Sequence, residues 1–205
     1  MQITIVGTGN MARGIGSRAL AGGHDVAFLG TDRAKAEALA GDLGGSATAA
    51  DGVSGDVVVL AVPYAAAADI LAAHGDDLAG KVIVDITNPV DFSTFEPLTL
   101  DAGSAAQEIA AAAPEGANVV KAFNTTFAST LAEGTVAGQP LDVFLAGDDD
   151  GAKATVRQIV EDGGLRAVDV GPLVRARELE ALGYLHMAVQ GPLDTGFSST
   201  VKIVS

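Results

Sequence analysis

The sequence predicts an α/β fold in which a doubly wound, mostly parallel sheet of about eight strands carries helices on both faces. Short apolar runs alternate with helical patterns along the 205 residues, the first run stops at a glycine-rich turn, and 48% of the residues are hydrophobic. That share is large enough for a buried core. Because the alternation is continuous, we predict a single domain over residues 1–205, with a core at 1–123 and an extension of the same sheet at 124–205.

The first turn has the spacing of a dinucleotide-binding site. A β-branched run at residues 3–6 stops at Gly7, and Gly9 and Ala12 complete a G-x-G-x-x-A pattern that opens a helix over 10–21. Gly7 permits the sharp turn, Gly9 lets backbone N–H groups approach a pyrophosphate, and Ala12 allows the helix to pack closely on the strand. The fold is therefore predicted to be Rossmann-like, with phosphates at the helix N-terminus.

The end of the second strand, predicted at 24–29, bears on the choice between NAD and NADP. The turn reads Gly30-Thr31-Asp32-Arg33, with Lys35 close behind. Thr31 and Arg33 are the donor types that a 2′-phosphate requires, whereas Asp32 is typical of proteins that bind a ribose hydroxyl. We favour NADP over NAD. The alternative for Thr31 is an N-cap of the helix predicted over 32–40.

Central strands follow at 46–48, 56–62 and 81–86, and the apolar run at 56–62 is typical of a buried parallel strand. Their carboxyl ends should face the ligand crevice. The residues placed there are Ala61, Val62, Pro63, Asn88 and Pro89. Tyr64 either covers the adenine or caps the core, and a helix is predicted over 65–74. The long loop at 90–103 is a candidate lid.

Polar residues follow the next predicted strand, at 118–123, which a helix over 104–113 precedes. Asn124, Thr125 and Thr126 are more than turn chemistry requires, so a ligand role is favoured over turn or N-cap use. Lys121 is slightly more consistent with a structural lysine that pairs with a nearby carboxylate.

The last third of the chain continues the alternation of strands and helices. Strands are predicted at 141–146 and 165–170, and helices over 147–162 and 171–189. Residues 198–204 are expected to form a closing edge strand or a dimer contact. Three consecutive aspartates at 148–150 favour a helix N-terminus over a metal site, because neighbours in sequence do not converge on one ion. His186 lies beside an apolar stripe, where a satisfied or surface histidine is favoured over a catalytic one.

Composition excludes several partners. The net charge of −14 disfavours nucleic acid and anionic membranes, since an acidic surface gains nothing from counterion release. No apolar run approaches the eighteen or so residues of a membrane span, and no basic leader precedes the first strand, so we expect a cytoplasmic protein. The absence of cysteine excludes a thiol nucleophile.

Four segments together, residues 6–12, 30–33, 121–125 and 171–180, resemble the NADP oxidoreductases that depend on coenzyme F420 and the related reductase domain of STEAP-type ferric reductases. The resemblance covers nearly the whole chain. It implies NADP along the glycine turn and a deazaflavin or flavin over the nicotinamide. Gly9, Asn10 and Met11 would take the pyrophosphate, Thr31 and Arg33 the 2′-phosphate, and residues 61–63 the ribose side, with Asn88, Asn124 and Thr126 near the second ring.

The expected function is hydride transfer between NADP(H) and F420 or a flavin-type acceptor. Such a reaction requires ring positioning and no catalytic acid or base. The expected cofactor-binding residues are Gly7, Thr8, Gly9, Asn10, Met11, Thr31, Arg33, Lys35, Ala61, Val62, Pro63, Asn88 and Pro89. The second cofactor or substrate is expected at Asn124, Thr125, Thr126 and His186, and no metal is expected. The alternatives are a dehydrogenase of a small hydroxyacid or imine and a non-catalytic NAD(P)-binding redox sensor. A homodimer is compatible with each.

Overall fold

The structure, a computed structural model, describes residues 1–204. The strands are β1 Gln2–Val6, β2 Asp25–Leu29, β3 Ala47–Ala49, β4 Val57–Leu60, β5 Val82–Asp85, β6 Val90–Asp91, β7 Glu96–Pro97, β8 Asn118–Lys121, β9 Thr135–Val136, β10 Gln139–Pro140, β11 Asp142–Gly147 and β12 Arg166–Asp169. The helices are α1 Asn10–Ala21, α2 Arg33–Leu43, α3 Tyr64–Leu78, α4 Ala105–Ala112, α5 Ala128–Glu133, α6 Asp150–Asp162, α7 Ala176–Ala188 and α8 Gln190–Leu193, and a 3₁₀ turn covers Leu173–Arg175.

Eight strands form one sheet in the order β3-β2-β1-β4-β5-β8-β11-β12. The first six are parallel to one another, whereas β11 runs antiparallel to β8 and pairs in parallel with β12. The predicted eight-stranded, mostly parallel α/β fold is therefore confirmed. The chain leaves β1 toward β2 and β3 on one side and returns to β4 on the other, which opens a crevice at the carboxyl ends of β1 and β4.

The core has two layers because alternate side chains of a central strand point to opposite faces. In β4, Val57 and Val59 pack with residues of α1, α2 and α6, while Val58 and Leu60 pack with residues of α3 and α4. All four are buried. A strand with both faces covered has no reason to alternate polar and apolar residues, which explains the uninterrupted apolar run in the sequence.

Several local predictions need correction. The loop at 90–103 contains the hairpin β6–β7, and α5 and the hairpin β9–β10 occupy a stretch that carries little periodic signal. The last long helix begins at Ala176, after the 3₁₀ turn, and a short helix continues past the predicted stop at Gly191. Residues 198–204 form no strand. They are held instead by side-chain contacts to the start of β11.

Candidate functional site

The turn between β1 and α1 lies directly against the end of β4. Gly7 has a φ of +122°, a region that favours glycine, and a Cβ there would lie 2.2 Å from the carbonyl oxygen of Ala61. The Gly7 N–H donates to the carbonyl of Leu29 at 2.7 Å. These contacts tie the turn to β2 and β4, so no other residue fits at position 7 without moving the backbone.

Gly9 has the opposite surroundings. It is the N-cap of α1 and supplies no capping side chain, and a Cβ at this position would meet nothing within 4 Å. The first turn of α1 carries no acidic residue. The N-terminal N–H groups of α1 and its positive dipole end therefore border open space, as an anion site requires.

Two clefts meet at this turn. The first cleft, of about 660 Å³, lies between the ends of β1, β2 and β4 and helix α3. Its lining residues are Val6, Gly7, Thr8, Gly9, Leu29, Gly30, Thr31, Ala61, Val62, Pro63, Ala66, Asp69, Ile70, Ala73 and His74. The second cleft, of about 590 Å³, shares Gly9 and residues 61–63 with the first, so the two form a continuous crevice.

The turn after β2 lies at the far end of the first cleft. Thr31 lines the cleft, whereas Arg33 and Lys35 are exposed beyond it. The Asp32 carboxylate accepts hydrogen bonds from the backbone N–H groups of Ala34 at 3.1 Å and Lys35 at 3.4 Å, and so caps α2. The N-cap that the sequence offered to Thr31 is therefore supplied by Asp32.

Arg33 is not free in this conformation. Its Nε donates to Glu37 at 2.8 Å, and a terminal nitrogen pairs with Asp51. With the side chain 54% exposed, both pairs are solvated and easily exchanged. Lys35 lies 3.6 Å from Asp32. The cations near the first cleft thus face carboxylates with which a bound phosphate would compete.

The second cleft has a largely apolar and aromatic wall. It is lined by Gly9, Asn10, Met11, Ala61, Val62, Pro63, Tyr64, Ile86, Thr87, Asn88, Phe92, Asn124, Thr126, Phe127, Met187 and Phe197. The sequence reasoning missed Phe92, Phe127, Met187 and Phe197, which come from four separate segments. The Phe127 and Phe197 rings meet edge to face with centroids 5.1 Å apart. Such a wall suits a planar ring.

The polar residues expected beside the second ring are largely bonded to the protein. Asn88 and Asn124 form a reciprocal pair: Asn88 Nδ2 donates to the Asn124 carbonyl at 2.8 Å, and Asn124 Nδ2 donates to Asn88 Oδ1 at 2.9 Å. The Thr126 hydroxyl donates to the Phe123 carbonyl at 2.7 Å. Thr125 and Pro89 are buried and line neither cleft. Their assignment to ligand binding stays a prediction.

His186 also lies outside both clefts. Its Nδ1 donates to the Thr125 carbonyl at 3.0 Å, which leaves Nε2 to accept from the Ser199 hydroxyl at 2.9 Å. Burial lowers the pKa of His186, in agreement with this neutral form. The ring packs on Phe127, with centroids 4.3 Å apart. His186 thus fixes the C-terminal segment that carries Phe197, and its assignment to the second cofactor stays a prediction.

A buried ion cluster lies behind the second cleft. Lys121 Nζ contacts Asp85 at 2.8 Å, Glu180 at 2.7 Å and the Thr87 carbonyl at 2.5 Å. Glu180 also accepts from the N–H groups of Ala105 and Ala106 at the start of α4. Burial raises the pKa of Glu180, although Lys121 opposes this. Lys121 is the structural, carboxylate-paired lysine that the sequence slightly favoured.

Tyr64 lines the second cleft rather than the adenosine end, and its hydroxyl donates to Glu108 of α4. This hydrogen bond, with burial, raises the pKa of Tyr64 to about 12. The tyrosine therefore neither covers the first cleft nor titrates near neutral pH.

Among residues 1–204, no group of three or more His, Asp or Glu side chains could hold a metal ion. The three aspartates at 148–150 have separate contacts. Asp149 caps α6, Asp148 accepts from the Leu173 N–H, and Asp150 pairs with Lys153.

Known proteins match this chain over most of its length. A family model described as NADP oxidoreductase, coenzyme F420-dependent, matches residues 2–89. The F420-dependent NADP reductase of Methanothermobacter thermautotrophicus is 31% identical over 202 residues, which cover 89% of this chain and 86% of the relative. A crystal structure of a protein from Arthrobacter sp. FB24, assigned as a candidate F420-dependent NADP reductase, is 31% identical and superposes with a TM-score of 0.84 over 99% of both chains.

The metalloreductase STEAP3 of Rattus norvegicus is 29% identical over 181 residues. That match covers 88% of this chain but only 36% of STEAP3, so the chain spans about a third of that protein's length. The likeness to both groups agrees with the resemblance in the four sequence segments, and the Methanothermobacter reductase is matched above 30% identity over most of both chains. The chain belongs to the family of F420-dependent NADP reductases.

Proposed function

We propose that this protein transfers a hydride between NADP(H), bound along the first cleft, and a deazaflavin such as F420 or a flavin, bound in the second cleft. Family membership confirms the predicted NADP-dependent oxidoreductase. The observation that carries the proposal is the junction of the two clefts at Gly9 and residues 61–63. Two ligands that lie along this crevice would meet there.

The residues present fit the nucleotide. Gly9 leaves the space that a pyrophosphate needs, and α1 directs its N-terminus into that space. At the far end, Thr31 and Arg33 supply a hydroxyl and a guanidinium for the 2′-phosphate. The Asp32 carboxylate is bonded to the first amides of α2. This contact removes much of the argument for NAD.

The second cleft suits a planar ring held mainly by apolar contact. Phe92, Phe127, Phe197 and Met187 supply the surface, and the neighbouring amide and hydroxyl groups of Asn124 and Thr126 are bonded to the protein. A wall of this kind offers few hydrogen bonds to the polar atoms at the edge of a bound ring, so it discriminates little between rings with different edges. It therefore supports either a deazaflavin or a flavin as the acceptor.

When bound, the reduced nicotinamide supplies the hydride, and the acceptor takes up that hydride and one proton. The protein binds and orients the two rings and excludes water between them. The Tyr64 hydroxyl donates to Glu108, and His186 lies outside the clefts, so neither group is directed at a ligand. We therefore propose no catalytic acid or base.

Steady-state turnover tests the proposal. Purified protein with NADPH and either F420 or FMN should bleach the NADPH absorbance, with saturation in both substrates. The control is NADPH with the protein and no acceptor. Tight NADPH binding without turnover of either acceptor would contradict the proposed reaction and favour a non-catalytic redox sensor. Oxidation of NADPH by an imine or a keto acid in place of the flavins would favour the dehydrogenase alternative.

We propose further that the protein works in the cytoplasm, without nucleic acid, as a homodimer. No helix among residues 1–204 is both long and apolar enough to cross a bilayer. The net charge of −14 supports the exclusion of nucleic acid. Exposed apolar side chains such as Leu185 and Leu193 support self-association. Light scattering at micromolar concentration measures the mass directly, and a monomer would contradict the homodimer.

A further inference from the structure

Helix α7 contacts the reciprocal pair Asn88–Asn124 on the side away from the second cleft. Asn124 Nδ2 donates to the carbonyl of Leu179 at 2.9 Å, in addition to its bond with Asn88. Gly183 is four residues further along, on the same face of the helix. The two asparagines come from the ends of β5 and β8, so this contact joins α7 to the sheet at the wall of the second cleft.

Gly183 has no conformational reason to be glycine. It lies inside α7 and is not among the residues with positive φ. Glycine at such a position lowers helix stability relative to alanine. Its surroundings explain it: a Cβ would lie 2.7 Å from Asn88 Oδ1, 2.9 Å from the Asn124 carbonyl oxygen and 3.0 Å from Asn88 Nδ2. The asparagine pair occupies the space that a side chain at position 183 would need.

We infer that Gly183 is a positioning residue for the second ring: it lets α7 hold the Asn88 amide against Asn124 and out of the second cleft. This inference rests on the proposed function of that cleft. A methyl group at position 183 overlaps one backbone atom and one side chain. The overlap with the Asn124 carbonyl is relieved by a small shift of α7, which also carries Met187 of the second cleft. The overlap with Asn88 is relieved by rotation of its amide away from α7, and the open side available to it is the cleft that it lines.

The effect should be confined to the second cleft. Gly183 and Asn88 do not line the first cleft, and the Gly9 turn and Thr31 are supported by β2, β4 and α2. Gly183→Ala should therefore leave binding of adenosine 2′,5′-bisphosphate, a probe of the first cleft alone, unchanged. It should raise the KM for F420 or FMN about tenfold or more, because small displacements of a ring wall strongly affect a positioned reaction.

The experiment compares wild type with Gly183→Ala, Asn88→Ala and the double variant. Gly41→Ala is the matched control, because Gly41 is also helical and a Cβ there meets nothing within 4 Å. Acceptor KM and kcat, the Kd of F420 and FMN, the Kd of the bisphosphate and thermal stability are measured for each. Asn88→Ala removes the amide itself, so in the double variant the methyl group at position 183 has no side chain to displace. The double variant should therefore have an acceptor KM close to that of Asn88→Ala alone.

The outcomes separate the inference from the proposed function. If the wild type is active and Gly183→Ala has the same acceptor KM as Gly41→Ala, the inference is overturned and the proposed function stands. The same holds if the effects of the two substitutions on the acceptor KM multiply in the double variant. If Gly183→Ala does not fold, Asn88→Asp decides. Its second carboxylate oxygen replaces the Nδ2 that donates to the Asn124 carbonyl and turns the side chain toward the cleft, so an unchanged acceptor KM overturns the inference. A wild type that binds the bisphosphate but neither F420 nor FMN refutes the proposed function and the ring site together.

Discussion

Replacement of Arg33 by alanine tests how the protein recognises the 2′-phosphate. Arg33 lies beyond Thr31 at the far end of the first cleft and pairs with Glu37 and Asp51. If a 2′-phosphate replaces these carboxylates as the partner of Arg33, Arg33→Ala should weaken the binding of NADPH. The binding of NADH should be unchanged, because NADH carries a hydroxyl at that position.

The structure limits the size of the effect. A charge-assisted hydrogen bond contributes about 1.5–3 kcal/mol. Arg33 is half exposed and leaves two existing partners on binding, so the lower end applies, at about 1.5 kcal/mol or about tenfold in Kd. Asp51→Asn removes one carboxylate that competes with the phosphate for Arg33, so it should lower the Kd of NADPH about threefold. This difference in Kd should become smaller at high salt.

Asp32→Asn is the matched control, since asparagine caps a helix as well as aspartate does and carries no charge. Because the Asp32 carboxylate is bonded to the N–H groups of Ala34 and Lys35, this variant should change the Kd of either nucleotide no more than about twofold. Calorimetric titrations of NADPH and NADH at fixed salt measure all four proteins. A wild type that prefers NADH, together with an Asp32→Asn variant that loses NADH affinity, would refute this reasoning.

Three further predictions concern the glycine turn, the buried ion cluster and the C-terminal segment. Gly9→Val should abolish NADPH binding without loss of thermal stability, because its side chain extends into open cleft space; unchanged affinity by titration would remove the nucleotide assignment. Lys121→Met should lower the free energy of unfolding in urea by about 3–5 kcal/mol, since it leaves Asp85 and Glu180 buried without their cation. Burial already raises the pKa of Glu180 against the opposing effect of Lys121, and loss of that cation should raise this pKa further, so the variant should gain stability as pH falls. A loss under about 1 kcal/mol would contradict the expected pairing. Burial alone would raise the pKa of Asp142, but hydrogen bonds from Arg166, Lys202 and the Ile203 N–H hold it at about 2. Its contribution, about 2 kcal/mol from a shift of 3.8 to about 2, is complete above pH 4 and is lost as pH falls through the folded pKa. Asp142→Asn should remove this acid dependence and speed hydrogen exchange in residues 198–204. An unchanged acid unfolding curve would contradict the contribution assigned to the Asp142 contacts.

The sequence by itself determined the fold class, the positions of the eight sheet strands along the chain and the location of the glycine-rich turn at the crevice. Gly7, with its positive φ and its contact with Ala61, is required by the backbone, and such requirements appear in a sequence as a specific residue type. The uninterrupted apolar run in β4 likewise records that both faces of that strand are covered. Local backbone conformation and burial are the properties that composition and periodicity encode, which is why these predictions agree with the structure.

Only the tertiary structure decided which polar groups are engaged and what forms the second cleft. Asn88 and Asn124 look like free amides in the sequence, yet they bond to each other, and Asn124 also bonds to α7. Phe92, Phe127, Met187 and Phe197 form one wall although Phe92 and Phe127 lie far from the C-terminal pair in the sequence. A hydrogen bond or an aromatic contact depends on the partner that folding brings close, and no local pattern of residues specifies a partner dozens of positions away.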